Sequence, residues 1–504
     1  MGKSGFTWFT GLDKPIFYGS IILLLILTLP LFIFPDWSTV QLEVLNDNIN
    51  DNAGFLYQWL AIIVTIFALW VAFSKAGHIK LGVTKPSFNT FSWASMIFCA
   101  GVATGILFWG CIEWAYYVID PPLNAEPYSN EAIELASSYD MFHWGPVGWS
   151  FYAIPALAIG HTFYNLGFKT MRISVACSGV LGKYANGVTG KVIDILFMIG
   201  LLGSAGTSLA IGTPMIAAAV NDLFGTGTNF IVNLGIILAC TLIYATTVYL
   251  GLSRGIKRLS NFSTTLAFLF LGFILLAGPT VFIIKMFTNS VGLMTQNFIR
   301  MITWTDPLVN SGFVEDWSIF YWSWWVAVGP WMGIFIAKIS KGRNFRQVIL
   351  GTLIFGSAGC SLFYGIFGNY ALFQELSGVF ISTDLVKKGE AALAITEVVK
   401  TLPWGTIILF IFTIMSLAFI ATTLGSTSYV MATYTTSYAI GNPEPGRQLR
   451  IFWALFLSLL PLGLILIGGL EALKTAVLLT ALPLILIYIF MIISIFRWIN
   501  TSNQ

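Results

Sequence analysis

The sequence predicts an all-α integral membrane protein of twelve transmembrane helices, with a five-helix inverted repeat pairing helices 3–7 with helices 8–12. Three observations predict it. The chain of 504 residues is 57% hydrophobic and only 9% charged, whereas a soluble protein needs about 25% charged residues to cover its surface. Twelve apolar stretches are each long enough to cross about 30 Å of hydrocarbon. Two of these stretches, five helices apart, carry matching interruptions.

The apolar stretches lie at 15–34, 54–74, 91–118, 143–164, 192–218, 228–251, 261–287, 317–338, 346–372, 404–434, 450–469 and 471–497. No remaining segment is long enough to form a soluble domain. The first stretch is long and lacks a small-residue cleavage site, so it reads as a retained helix. With the N-terminus placed in the cytoplasm, only Lys285, Arg300, Lys387, Lys388, Lys400 and Lys474 of the 25 basic residues fall in outer segments. That bias puts both termini inside and makes the helix number even. Cys99, Cys111, Cys177, Cys240 and Cys360 show no metal-ligand spacing and read as reduced packing residues. The net charge of +3 gives no ground for nucleic-acid binding.

The interruptions organise the chain. The third stretch contains "AGVATGILFWG", with Gly101 and Gly105; the eighth contains "VAVGPWMGIF", with Gly329, Pro330 and Gly333. Proline removes a helix hydrogen bond and clashes with the preceding turn. Because each block is five helices long, the second copy enters the membrane from the opposite side. Broken helices at matching positions in two halves point to a site near the bilayer midplane; the plainer alternative is close helix packing through small residues. The division expected is 1–90 for the tail and helices 1 and 2, 91–287 for the first repeat, 288–316 for an outer connection, 317–497 for the second repeat and 498–504 for a tail. Segment 165–191 reads as a connection with short helices, and "TDLVKKGEAALAITEVVKTL" as an amphipathic outer helix.

Aromatic residues gather where these helices pass below the outer surface. "WSWWVAVGPWMG" holds Trp322, Trp324, Trp325 and Trp331. At about 1.5 Å per residue, Trp324 and Trp325 lie about 10 Å below the entry of their helix near Trp317. That is too deep for the interfacial belt tryptophan normally forms. "FHWGPVGWSFY" adds Trp144, Trp149 and Tyr152, the last two sharing a helix face. The third stretch adds Trp109, Trp114, Tyr116 and Tyr117. Glu113 is the one acid clearly inside a predicted span, with Asp194 at the inner start of the fifth. A cation held here would be held by ring faces, which suits a quaternary ammonium group with no N–H to donate. Core filling is the competing use of such rings.

The segments "FHWGPVGWSFY", "FYWSWWVAVGPWMGIFIAKISKGR" and "FIATTLGSTSYVMAT" closely resemble the betaine/choline/carnitine transporter family, and the similarity runs over nearly the whole chain. The resemblance implies a homotrimer of twelve-helix, LeuT-like protomers in a bacterial inner membrane, working by alternating access on an onium substrate. It implies a cage of Trp144, Trp149, Tyr152, Trp324 and Trp325, with Tyr116 as a further wall. Trp331 falls at a position lining the deeper end of the pathway, and Met332 at a position where exchangers use a thioether in place of an ion.

The resemblance also bears on coupling. Phe419, Thr422 and Thr423 fit the hydroxyl pattern of the sodium-coupled members, with carbonyl partners expected around Cys99, Ala100 and Val102; the competing use of the two threonines is a hydrogen bond to their own preceding turn. Sodium-independent exchangers place an arginine at the position of Ser263. The expected function is therefore sodium-coupled uptake of a betaine-type quaternary ammonium or sulfonium zwitterion, with Na+ as coupling ion and no other cofactor. Alternatives are ion-independent exchange of carnitine for γ-butyrobetaine and proton-coupled choline-type symport, for which Glu113 and His143 are the nearby titrating groups. The glycine segment lacks the aspartate of choline carriers, and Thr104 offers a hydroxyl to a substrate carboxylate. Short tails argue against osmotic regulation. His78, His143 and His161 are scattered, so no catalytic dyad or metal cluster suggests an enzyme.

Overall fold

The computed structural model describes residues 11–100, 104–251, 255–437, 445–467 and 469–502. Among them the regular secondary structure is helical, apart from the isolated bridges Leu12–Thr436 and Lys80–Asn344. Ten of its helices are long and apolar enough to cross a membrane. An eleventh span results if Thr90–Ala100 and Gly105–Ile119, bent by 61° about their break, are taken together. The expected fourth span, 143–164, falls on Pro146–Tyr164, a helix of 19 residues that is not among those ten. Its tryptophan, tyrosines, prolines and histidine make it less apolar than a lipid-facing helix. It needs no apolar belt, because Val147 through Thr162 are all buried in protein.

Burial separates central helices from peripheral ones. The apolar windows of Val188–Phe224 and of the span Val314–Ile339 are both 83% buried, while that of Lys257–Ala277 is 28% buried. Large apolar side chains on the outer helices, such as Ile26, Ile66, Leu242 and Leu276, face outward, as a lipid solvent requires. Several elements are longer or more segmented than the sequence suggests. The second span begins at Pro35, so the stretch 35–53, read as a loop, is helical to Phe73. The connection after the seventh span is the helix Thr280–Thr303. The amphipathic outer segment forms Ser382–Lys387 and Ala391–Lys400, divided at Gly389, whose φ of 76° suits glycine.

One expectation is corrected. The proline of the tryptophan segment does not break its helix: Phe320–Ile339 is continuous α-helix with Pro330 inside, entered through a π-helical turn at Val314–Ile319. The glycines serve close approach instead. A Cβ on Gly333 would stand 2.5 Å from Cβ of Pro155 and 2.9 Å from the Ala156 nitrogen. One on Gly329 would strike the Tyr488 hydroxyl and stand 2.8 Å from the Phe151 carbonyl oxygen. The small-residue alternative therefore governs this helix, which packs along Pro146–Tyr164 with little space between backbones. Only the third stretch is interrupted as expected.

At the end of the bundle that the basic residues mark as inner, three parts of the chain are tied together. The Arg172 guanidinium lies 3.0 Å from Asp13 and 3.9 Å from Asp194, and Lys191 lies 3.4 Å from Asp13. Arg172 also donates to the carbonyls of Tyr434 and Thr436. The N-terminal segment, the start of Val188–Phe224 and the end of Gly405–Tyr434 thus share one charged clasp.

Two substitutions test the helix contact. Gly333→Val should lower the unfolding temperature of detergent-purified protein, because overpacking a tight contact costs about 1–3 kcal/mol. Pro330→Ala, which restores a helix N–H, should leave that temperature equal or higher. Tryptophan fluorescence on heating checks both, and a clear loss of stability in Pro330→Ala would show that the proline is required to shape the helix.

Candidate functional site

Trp144 sits at a joint. It ends the helix Asn130–His143, and Gly145 then precedes Pro146 at the first turn of the next helix, where proline's missing N–H leaves no bond unmade. Trp149 and Tyr152 follow on one face of that helix, their rings 5.1 Å apart. The facing helix supplies Trp324 and Trp325, whose rings are 5.2 Å apart. Across the interface Trp144 lies 5.4 Å from Trp324 and 5.8 Å from Trp325. Tyr152 lies 4.8 Å and Trp149 6.0 Å from Trp325. The five expected cage residues therefore form one connected cluster of mostly tilted and edge-to-face rings. Gly148 makes the approach possible, since a Cβ there would collide with the Trp325 indole.

Three of the four cage indoles donate their N–H to protein acceptors. Trp144 donates to Glu113 Oε2 at 3.1 Å. Trp324 donates to Thr207 Oγ1 at 3.3 Å and Trp325 to the His143 carbonyl at 3.0 Å. Three rings are thereby pinned at their polar edges, which leaves their faces as the surface they can offer a ligand. Trp322 stands apart. It donates to Gln58 Oε1 at 2.8 Å and so braces the helix Pro35–Phe73.

Glu113 is the hub of this arrangement. Its carboxylate accepts hydrogen bonds from the hydroxyls of Tyr117 at 2.6 Å, Tyr321 at 2.6 Å and Tyr364 at 3.0 Å, besides the Trp144 indole. Three of these donors reach Oε2 and one reaches Oε1 of a fully buried side chain. His143 Nδ1 lies 2.9 Å from the Tyr117 hydroxyl, and His143 Nε2 3.1 Å from Ser318 Oγ. The sequence singled out Glu113 as a lone intramembrane acid, but not these partners. Tyr117 is one helical turn away, a spacing that could have suggested it. Tyr321 and Tyr364 lie 208 and 251 residues away, where no local spacing leads to them.

The remaining expected residues are placed less centrally. Tyr116 belongs to a second aromatic group, 5.0 Å from Trp317 and 6.1 Å from Trp109. That group meets the cage through Tyr321, which is 6.4 Å from Trp317 and 5.7 Å from Trp144. Trp331 is half-buried two turns beyond Trp324, and Met332 is buried. Thr422 donates to the Ala418 carbonyl at 2.8 Å, the back-bond weighed above; its oxygen retains lone pairs for a cation. Phe419 is buried, and Thr423 is half-buried. Cys99 and Ala100 end the helix Thr90–Ala100 just before its bend, where carbonyls lose their intrahelical partners. Val102 lies outside the described residues. Ser263 is buried and donates to the Ser260 carbonyl. Among the described residues no three His, Cys, Asp or Glu side chains gather as metal ligands, so a cation at the broken helix would be held by neutral oxygens.

The chain is similar to known transporters. Residues 15–504 match the model of the BCCT family, described as betaine/carnitine/choline family transporters. An Escherichia coli protein named as the uncharacterized transporter YeaV is 33% identical over 442 residues, covering 88% of this chain and 92% of its own length. A carnitine transporter of Acinetobacter baumannii is 31% identical over 445 residues, covering 88% of this chain and 80% of its own.

Glu113→Gln tests the hub. The amide keeps the shape but presents an NH2 to donors that expect an oxygen. Loss of a charge-assisted hydrogen bond is worth about 1.5–3 kcal/mol, so the variant should unfold at lower temperature. Tyr364→Phe, which removes a single donor, should be milder. Equal stability of Glu113→Gln and the parent would remove Glu113 from this role.

Proposed function

Because the chain belongs to the betaine/carnitine/choline transporter family, whose members are transporters and not enzymes, we propose that it carries a betaine-type onium zwitterion across the bacterial inner membrane by sodium-coupled alternating access. The observation that carries this reading is the five-ring cluster with the indole N–H groups of Trp144, Trp324 and Trp325 already bound to protein acceptors. Such rings have faces to give and few donors. A trimethylammonium head has a diffuse charge and no N–H, so it gains from faces and loses nothing by the missing acceptors. The buried Glu113 side chain is engaged by Tyr117, Tyr321, Tyr364 and Trp144 rather than presented bare to the head.

Thr422, Thr423 and the carbonyls around Cys99 and Ala100 are the oxygens we assign to sodium, and Ser263 in place of a fixed arginine supports an ion-coupled cycle. The twelve-helix, inverted-repeat protomer, its trimeric assembly and cytoplasmic termini belong to the same proposal. The Acinetobacter relative's name makes carnitine the first substrate to try. A second reading, exchange of carnitine for a related betaine without an ion gradient, draws support from Met332.

Uptake of radiolabelled carnitine, γ-butyrobetaine and glycine betaine into proteoliposomes separates these readings. Sodium-coupled uptake should proceed into empty vesicles under a sodium gradient, whereas exchange needs betaine inside. Trp324→Leu combined with Trp325→Leu should abolish uptake, since each desolvated cation–π contact contributes about 2 kcal/mol; undiminished uptake would remove the cage. Thr422→Ala combined with Thr423→Ala should abolish stimulation by sodium, and unchanged stimulation would dismiss the ion site.

A further inference from the structure

Lys474 lies near the start of the last span and is only 6% exposed. Its ammonium nitrogen sits 4.4 Å from the centre of the Trp317 indole and 5.9 Å from that of Phe320. It also lies 3.1 Å from Glu471, whose side chain is 68% exposed. A largely solvated carboxylate is a weak partner for a buried lysine, so the indole face carries much of the contact. The same indole begins a run of rings. Trp317 stacks toward Tyr321 at 6.4 Å, and Tyr321 lies 5.7 Å from Trp144 in the cage. Lys474 thus caps the outer end of an aromatic path with a cation the chain itself supplies.

The ammonium has a second seat available. It borders a small cleft lined also by Asn46, Asn50, Glu315, Asp316 and Glu471. Asn50 Oδ1 and Glu315 Oε2 are buried there without a hydrogen-bond partner. These are acceptors an ammonium can turn to when it leaves the ring.

We propose that Lys474 is a specificity-determining residue that favours zwitterions over net cations at the outer entrance, an inference that rests on the onium reading above. An incoming onium head takes the Trp317 face, and the displaced ammonium pairs with the substrate's own carboxylate. A ligand with the same head and no anionic group must displace Lys474 without that compensation. The carboxylate contact is transient, because the substrate moves on along the rings while the ammonium returns to Trp317 or to the cleft.

The probes are glycine betaine and its methyl ester, which share a head and differ in charge. Binding is measured on purified protein by calorimetry, and competition at the outer face of right-side-out vesicles gives the transport readout. Wild-type protein should bind the ester at least about tenfold more weakly, a factor equivalent to about 1.4 kcal/mol. Lys474→Met and Lys474→Gln should narrow that ratio toward one, chiefly by improving the ester, while Lys474→Arg preserves it. A wild-type protein that binds ester and zwitterion alike overturns the inference whether or not the variants fold. An unchanged ratio in a folded Lys474→Met protein overturns it alone and leaves the onium reading intact. Wild-type protein that binds neither glycine betaine nor carnitine overturns both.

Discussion

A carboxylate buried in the middle of a membrane protein dictates much of what surrounds it. An ionised Glu113 without partners would be untenable in that environment, and the structure answers with three phenol hydroxyls and one indole N–H. Those donors come from four separate parts of the chain. Satisfying one acid therefore fixes Trp144 at its joint, Tyr321 on the tryptophan helix and Tyr364 on a third element. His143, one residue before Trp144, is held in the same web through Tyr117 and Ser318, and its carbonyl in turn receives the Trp325 indole. The aromatic cage is positioned from its edges, by hydrogen bonds that have nothing to do with ring faces.

Backbone proximity is the complementary constraint. Rings from Pro146–Tyr164 and Phe320–Ile339 interlock only because Gly148 lies under Trp325, and Gly329 and Gly333 bring the helices together on the far side of the contact. Pro330 sits within this contact without interrupting the helix. Proline normally weakens a helix interior, but neighbouring helices can take up the freed backbone group. The two segments that look alike in sequence therefore behave differently: the third bends by 61°, and the eighth stays continuous.

What the sequence disclosed follows the range of the forces involved. Hydropathy reveals spans because lipid acts on every residue of a helix, and the apolar stretch 143–164 marked the helix Pro146–Tyr164 although that helix is buried in protein. Periodicity placed Trp149 with Tyr152, and depth along the helix placed Trp324 and Trp325 below the rim. Resemblance to a family joined the two groups into a cage, which spacing alone could not do. The Glu113 partners, the bracing of Trp322 by Gln58 and the second aromatic group around Trp317 depend on contacts between distant segments. Helix continuity at Pro330 was illegible for the same reason, since it depends on how the neighbouring helices pack around it.

The combination of a saturated acid and unsaturated ring faces bears on how a carrier must bind. A site that passes its cargo on has to hold it well enough to select it and loosely enough to release it. A free carboxylate against a desolvated cation would form a deep, localised well. Ring faces form a broad one, because attraction to a quadrupole changes gradually as a diffuse charge slides across it. The Glu113 oxygens already accept hydrogen bonds from Tyr117, Tyr321, Tyr364 and Trp144. An onium group among the rings would meet an acid already engaged by its own donors rather than a bare carboxylate. The hydrogen bonds that make the acid tolerable in the membrane are thus the same ones that would keep such a cation mobile.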